Sequence, residues 1–104
     1  MVLLEFSIYP VDKGASLSPY VARAVEIVAQ SGLPYEVHAM GTVVEGEMEQ
    51  LLQLVARCFE ALRADCDRIE CVMKFDYRRG RTGAIAGKVE SVERRLGRSL
   101  PKNA

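Results

Sequence analysis

The chain has 104 residues, 49% of them apolar, and its 14 basic and 14 acidic side chains cancel to a formal net charge of zero. That length holds one hydrophobic core, so a single domain over residues 1–104 is expected. The apolar content excludes wholesale disorder, the charge balance argues against nucleic acid as a partner, and no apolar run is long enough to span a membrane.

Val2 to Pro10 alternates as a strand does, with Val2, Leu4, Phe6 and Ile8 on a core face and Leu3, Glu5, Ser7 and Tyr9 on a mixed one. Val11 to Leu17 is a loop that turns at Asp12-Lys13-Gly14. Ser18-Pro19 predicts a helix, with Ser18 as N-cap and Pro19 at the first helical position. Val21, Ala24, Val25 and Val28 form its core stripe, Gly32 caps its end, and Pro34 prevents continuation. Tyr20 lies off that stripe, where it either lines a pocket mouth or packs against the loop.

Leu33 to Ala39 and Thr42 to Glu45 are predicted as two short strands, reversing at Met40-Gly41 because glycine accepts a positive φ. A second helix runs from Glu47 to about Ala64. Its apolar stripe is Met48, Leu51, Leu52, Val55, Phe59 and Leu62, with Cys58 beside it. After the polar turn Asp65-Cys66-Asp67, Ile69 to Tyr77 alternates as a fourth strand. A last helix over about Ala84 to Leu96 has the narrow stripe Ile85, Val89, Val92 and Leu96, suited to a domain edge or another subunit. Leu100-Pro101 and the residues beyond are expected to fray.

Charge is uneven along this order. From Arg78 onward eight basic residues stand against Glu90 and Glu93, a balance of +6. The loop around Gly80 carries Arg78, Arg79 and Arg81, which points either to an anion held by guanidinium forks and backbone N–H groups or to a solvated surface. Cys58, Cys66 and Cys71 are odd in number and show no CxxC spacing, and His38 is the single histidine. Neither a disulfide framework nor a metal site is expected. With no basic-then-apolar leader, the expected location is cytoplasmic.

Two β-α-β crossovers predict an α+β architecture: a ferredoxin-like plait, β-α-β-β-α-β, with an antiparallel four-stranded sheet and an added C-terminal helix. Strands one and three lie at its centre, and both main helices cover one face. The other face mixes apolar and polar groups, which favours pairing with another chain. Glu45, on a central strand, needs a partner if buried, whereas Glu47 suits a helix N-terminus. His38 lacks a nucleophile motif around it.

Glu5-Phe6-Ser7-Ile8-Tyr9-Pro10, Asp12-Lys13-Gly14 and Ser18-Pro19-Tyr20-Val21 together resemble the opening of the YkoF-like small thiamin-binding protein family. His38-Ala39-Met40-Gly41-Thr42 with Glu45-Gly46-Glu47 is similar to its central signature, and Asp76-Tyr77-Arg78-Arg79-Gly80-Arg81 to its late one. The likeness spans nearly the whole chain in order; Ala39 stands where the family usually has proline. It implies a ferredoxin-like fold, a homotetramer assembled through sheets as a dimer of dimers, and binding of thiamin or its hydroxymethylpyrimidine half. It implies no catalysis and no cofactor beyond that ligand.

An aminopyrimidine suits a hydroxyl or carboxylate at its donor–acceptor edge and an aromatic or apolar wall for its ring. Ser7, Thr42 and Glu45 are the expected edge contacts. Tyr9, Tyr20 and Met40 are the expected wall, and Gly41 lets the ligand approach the backbone. Two other readings stand beside this one. The chain is a regulatory or scaffolding oligomer without a thiamin ligand, or it is an enzyme using Glu45, His38 or Asp76 as acid or base.

Overall fold

In the computed structural model, which describes residues 1–101, the alternation along the first strand decides the architecture. β1 (Val2–Pro10) buries Val2, Leu4, Phe6, Ile8 and Pro10 and leaves the residues between them partly or fully exposed. One face of a central strand is therefore committed to helices. α1 (Ser18–Gln30), β2 (Tyr35–His38), β3 (Gly41–Gly46), α2 (Met48–Arg63), β4 (Ile69–Tyr77) and α3 (Ala84–Leu96) follow in order. The sheet runs β2-β3-β1-β4, antiparallel throughout. This is a ferredoxin-like α+β plait with an added C-terminal helix. Among the described residues no helix is long and apolar enough to cross a membrane.

Register assigns every side chain to a face. Leu4 pairs with Val44 and Phe75, and Phe6 with Thr42 and Met73, so these residues share the helix-covered face. Leu3 pairs with Glu45 and Asp76, and Glu5 with Val43 and Lys74, so these share the opposite face. The core lies between the first face and α1 and α2: Leu4, Val28, Val44, Leu51, Cys58 and Leu62 are fully buried there.

Several boundaries differ from the sequence expectation. Ser18 is inside α1, and Leu17 is the N-cap: its carbonyl accepts the N–H groups of Tyr20 and Val21. Gly32 lies just past the C-cap Ser31 at φ +79°. β2 is shorter than 33–39: Leu33 packs on the core, Pro34 accepts from the Glu45 N–H but has no N–H to donate, and Ala39 lies in the reversal. The hairpin reverses at Ala39-Met40, not Met40-Gly41, since His38 already pairs with Gly41. Gly41 is thus the first residue of β3. A side chain there would place its Cβ 3.0 Å from the Phe6 carbonyl oxygen.

The α2 stripe is also shifted. Leu51, Leu54, Val55, Cys58 and Leu62 are buried, whereas Met48, Leu52 and Phe59 are exposed. Cys58 faces α1, its thiol reaching the Ala24 carbonyl, and burial pushes its pKa up to about 11. Leu100 is tethered, its N–H donating to Glu93; residues 102–104 lie outside the described chain.

Candidate ligand-binding site

β1 outruns its neighbour β3. Their pairing ends at Phe6 and Thr42, so Ser7, Ile8 and Tyr9 have no strand partner on that side among the described residues. The β2–β3 hairpin stops short of the gap, and α1 crosses above it. The notch left between them is a cavity of about 620 Å³. Its floor is β1 from Glu5 to Tyr9, its far wall is Leu17, Val21, Ala24 and Val25, and its rim is the hairpin from Val37 to Thr42. Val72 and Lys74 border it where it wraps onto the sheet's open face.

Five of the seven expected ligand residues meet here: Ser7, Tyr9, Met40, Gly41 and Thr42. Neither the Ser7 nor the Thr42 hydroxyl makes a hydrogen bond among the described residues, although Thr42 is buried. Both line the notch with hydrogen-bonding capacity unused, Thr42 from the helix-covered side and Ser7, paired with Val72, from the open-face side. Tyr9 donates its hydroxyl to Glu70 Oε2 at 3.0 Å, and that carboxylate raises the phenol pKa, first through this hydrogen bond. Met40 is 90% exposed at the hairpin tip, a flexible thioether above the opening. Backbone N–H and C=O groups of Ser7 to Tyr9 add an unpaired edge, which a flat heterocycle can satisfy as a strand would.

Tyr20 and Glu45 stand elsewhere. Tyr20 packs on the core, with Arg23 over its ring at 5.1 Å, so of its two expected roles the structure shows packing. Glu45 is buried on the face opposite Thr42, because side chains alternate along a strand and the two stand three residues apart. There its two carboxylate oxygens accept the N–H of Ala84 at 3.0 and 3.1 Å. Its partner is the first turn of α3, where an anion is favoured by the helix dipole. The structure therefore does not bring Glu45 to the notch that Thr42 lines.

The basic loop divides as well. Arg81 folds back onto its own strand, donating to the Asp76 carboxylate at 3.1 Å and the Asp76 carbonyl at 2.9 Å. Lys88 closes on the same carboxylate, and these two cations hold the Asp76 pKa below the usual range, Lys88 first. Arg81 is therefore turned inward, away from any external anion, while Arg78 and Arg79 are exposed. His38 lies at the notch rim with Glu36 3.3 Å from its Nε2. Among the described residues no group of three or more His, Cys, Asp or Glu is placed to hold a metal ion.

The α1 wall and Lys74 were not singled out from the sequence. Val21, Ala24 and Val25 read as ordinary core there; the signal that separates them is β1 outrunning β3, which no linear pattern carries.

A family model for thiamine-binding protein matches residues 4–93. The chain belongs to the thiamine-binding protein family. It is similar to a UPF0045 protein of Mycobacterium tuberculosis, 40% identical over 96 residues, covering 91% of this chain and 94% of that one. The UPF0045 protein MJ1052 of Methanocaldococcus jannaschii is 35% identical over 91 residues, covering 88% of this chain and 91% of that one. The crystal structure of MJ1052 superimposes with a TM-score of 0.82 over 88% of this chain and 94% of that chain. A Thermotoga maritima structure named for thiamine biosynthesis or salvage reaches 0.78 at 27% identity, over 88% of this chain and 97% of that chain.

Proposed function

We propose that this protein binds thiamin, or its hydroxymethylpyrimidine half, in the notch at the end of β3 and performs no chemistry on it. The observation that carries this reading is the pair of unpartnered hydroxyls, Ser7 and Thr42, in a mostly apolar cavity of about 620 Å³ in a member of the thiamine-binding family. The aminopyrimidine edge meets these hydroxyls and the free backbone of Ser7 to Tyr9. Its ring lies against Val21, Val25 and Met40. Glu5, at the floor, suits the thiazolium charge.

The protein acts in this reading as a cytoplasmic homotetramer, a dimer of dimers, holding ligand for use elsewhere. Isothermal titration with thiamin and with hydroxymethylpyrimidine tests the binding. Saturable heat with either, weakened by Thr42→Val, is the expected result. No heat with either ligand at millimolar concentration rejects the reading and favours a regulatory or scaffolding oligomer. Consumption of a bound ligand would favour an enzyme instead.

A further inference from the structure

β1 carries a row of side chains along the open face of the sheet. From the notch outward they are Ser7, Glu5 and Leu3, paired on β4 with Val72, Lys74 and Asp76. α3 closes the far end of this row. Ala84 donates to Glu45, the β3 partner of Leu3, and Lys88 reaches Asp76, its β4 partner, so the helix crosses the sheet above Leu3. Between Glu5 and the helix lies a second cavity, of about 370 Å³, with Leu3, Val43, Asp76 and Lys88 among its walls. Glu5 and Lys74 line both this groove and the notch, so the two cavities meet at these side chains.

The charges of the groove are unevenly matched. Glu5 and Lys74 stand directly opposite each other on neighbouring strands, spaced for an ion pair. Among the described residues neither forms one, nor any side-chain hydrogen bond, and both are exposed. One pair further along, the Asp76 carboxylate is met by two cations, Arg81 and Lys88, which leaves that corner with a surplus positive charge. Glu45, the remaining acid of the row, is turned under α3 and held by the Ala84 N–H. The groove thus presents a carboxylate and an ammonium side by side at the notch, and a cationic corner beyond them.

We propose that the groove takes a phosphate monoester on the hydroxyethyl arm of thiamin, so that the ligand of this protein is the monophosphate. The proposal rests on the notch being the thiamin site. With the pyrimidine at Ser7, a ligand extended along β1 reaches the Leu3 row after four residues, roughly 13 Å. Its thiazolium passes Glu5, whose carboxylate matches that positive charge. The end of its hydroxyethyl arm comes to Lys74 and the Asp76 corner. A phosphate monoester brings a charge of about −1.5 to −2 near neutrality and three acceptor oxygens. Lys74 offers three N–H donors to them. The neutral hydroxyl of thiamin would leave that ammonium unmatched. α3 blocks the line beyond Leu3, so the groove has length for one phosphate group and not for two.

Calorimetric titration of the full chain with thiamin, its monophosphate and its diphosphate tests this. The monophosphate should bind more tightly than thiamin by about tenfold or more, the contribution of one hydrogen bond between charged groups. It should also bind more tightly than the diphosphate. The advantage over thiamin should shrink as salt is raised. Lys74→Gln should bring the two affinities together, and Lys74→Arg should keep them apart, with circular dichroism to verify folding. Because each variant is read as a ratio of two affinities, a general weakening of the site does not imitate the effect. Equal affinities in the unaltered chain, tighter binding of the diphosphate, or an advantage that survives Lys74→Gln would each overturn the proposal. Thiamin that binds without any advantage for its monophosphate leaves the notch reading standing, whereas no binding of any of the three removes both.

Discussion

Glu45 and Ala84 lie 39 positions apart, yet both oxygens of the Glu45 carboxylate accept the Ala84 N–H, at 3.0 and 3.1 Å, with both residues buried. This bond attaches the start of α3 to the centre of the sheet. Beyond it α3 holds the domain loosely: Ile85 and Val89 are half-buried, and Val92 and Leu96 are exposed.

Replacing Glu45 by alanine should therefore loosen α3 first. An unpaired buried N–H costs about 1–3 kcal/mol. Glu45→Gln retains one acceptor and should cost less. Hydrogen exchange at Ala84 to Lys88 should rise sharply in Glu45→Ala while amides of β1 stay protected. Equal loss of protection in β1 would show that Glu45 supports the whole fold rather than this helix.

Arg23 and Asp65 form a two-pronged pair at 2.6 and 2.7 Å between α1 and the end of α2. The guanidinium hydrogen bonds hold the Asp65 pKa down at about 2. The folded value is thus below the unfolded one, about 3.9 for a free aspartate. Stability from this pair is present above that unfolded value and is lost as pH falls toward 2. Asp12, held low chiefly by the Asp67 N–H, and Asp76 titrate in the same direction. Urea midpoints measured from pH 6 to pH 2 should fall for the native chain and fall less steeply for Asp65→Asn. Identical slopes would mean the pair is matched in the unfolded chain.

Gly41→Ala should destabilise through contact rather than through backbone conformation. The new Cβ would lie 3.0 Å from the Phe6 carbonyl oxygen, part of the central strand and unable to yield. Overpacking of this kind costs about 1–3 kcal/mol. A thermal midpoint equal to that of the unaltered chain would show that β3 shifts freely away from β1.

At the notch, Ser7→Ala and Thr42→Val each remove one neutral hydroxyl. Each should weaken thiamin binding by roughly twofold to tenfold, from about 0.5–1.5 kcal/mol per hydrogen bond. Glu45→Gln should leave the affinity within twofold, because Glu45 does not line the notch and its carboxylate is held by the Ala84 N–H. Calorimetry on the three variants decides. A large loss at Glu45 with small losses at Ser7 and Thr42 would move the ligand to the α3 side of the sheet.

Thiol labelling probes the core. Cys58 is fully buried and its thiol is pushed up to about 11, so it is both shielded and protonated near neutrality. Its alkylation at pH 8 should proceed only at the rate of global unfolding. Labelling of Cys58 as fast as that of a free thiol would show that α1 and α2 separate locally.

Much of this fold is legible in the linear order of residues because local physics writes it there. The alternation of Val2, Leu4, Phe6 and Ile8 identifies a central strand, and the 3.6-residue period of Val21, Ala24 and Val28 identifies the helix that covers it. The spans of β1 and β4 follow from period-two patterning, and the β-α-β-β-α-β order follows from the connections. The motifs around Ser7, His38 and Arg78 are enough to suggest the family. What the linear order leaves open is which side each short-strand residue faces and how far neighbouring strands overlap. Thr42 and Glu45 both looked available to one ligand. They point to opposite faces because they stand three residues apart in one unbulged strand, and pairing with β1 decides that the face of Thr42 is the helix-covered one. The extent of the same pairing makes the notch, and the packing angle of α2 decides that Leu54 and Cys58 enter the core while Leu52 and Phe59 stay outside. Both are properties of contacts between segments distant in the chain, where the energy of burial, not local propensity, makes the choice.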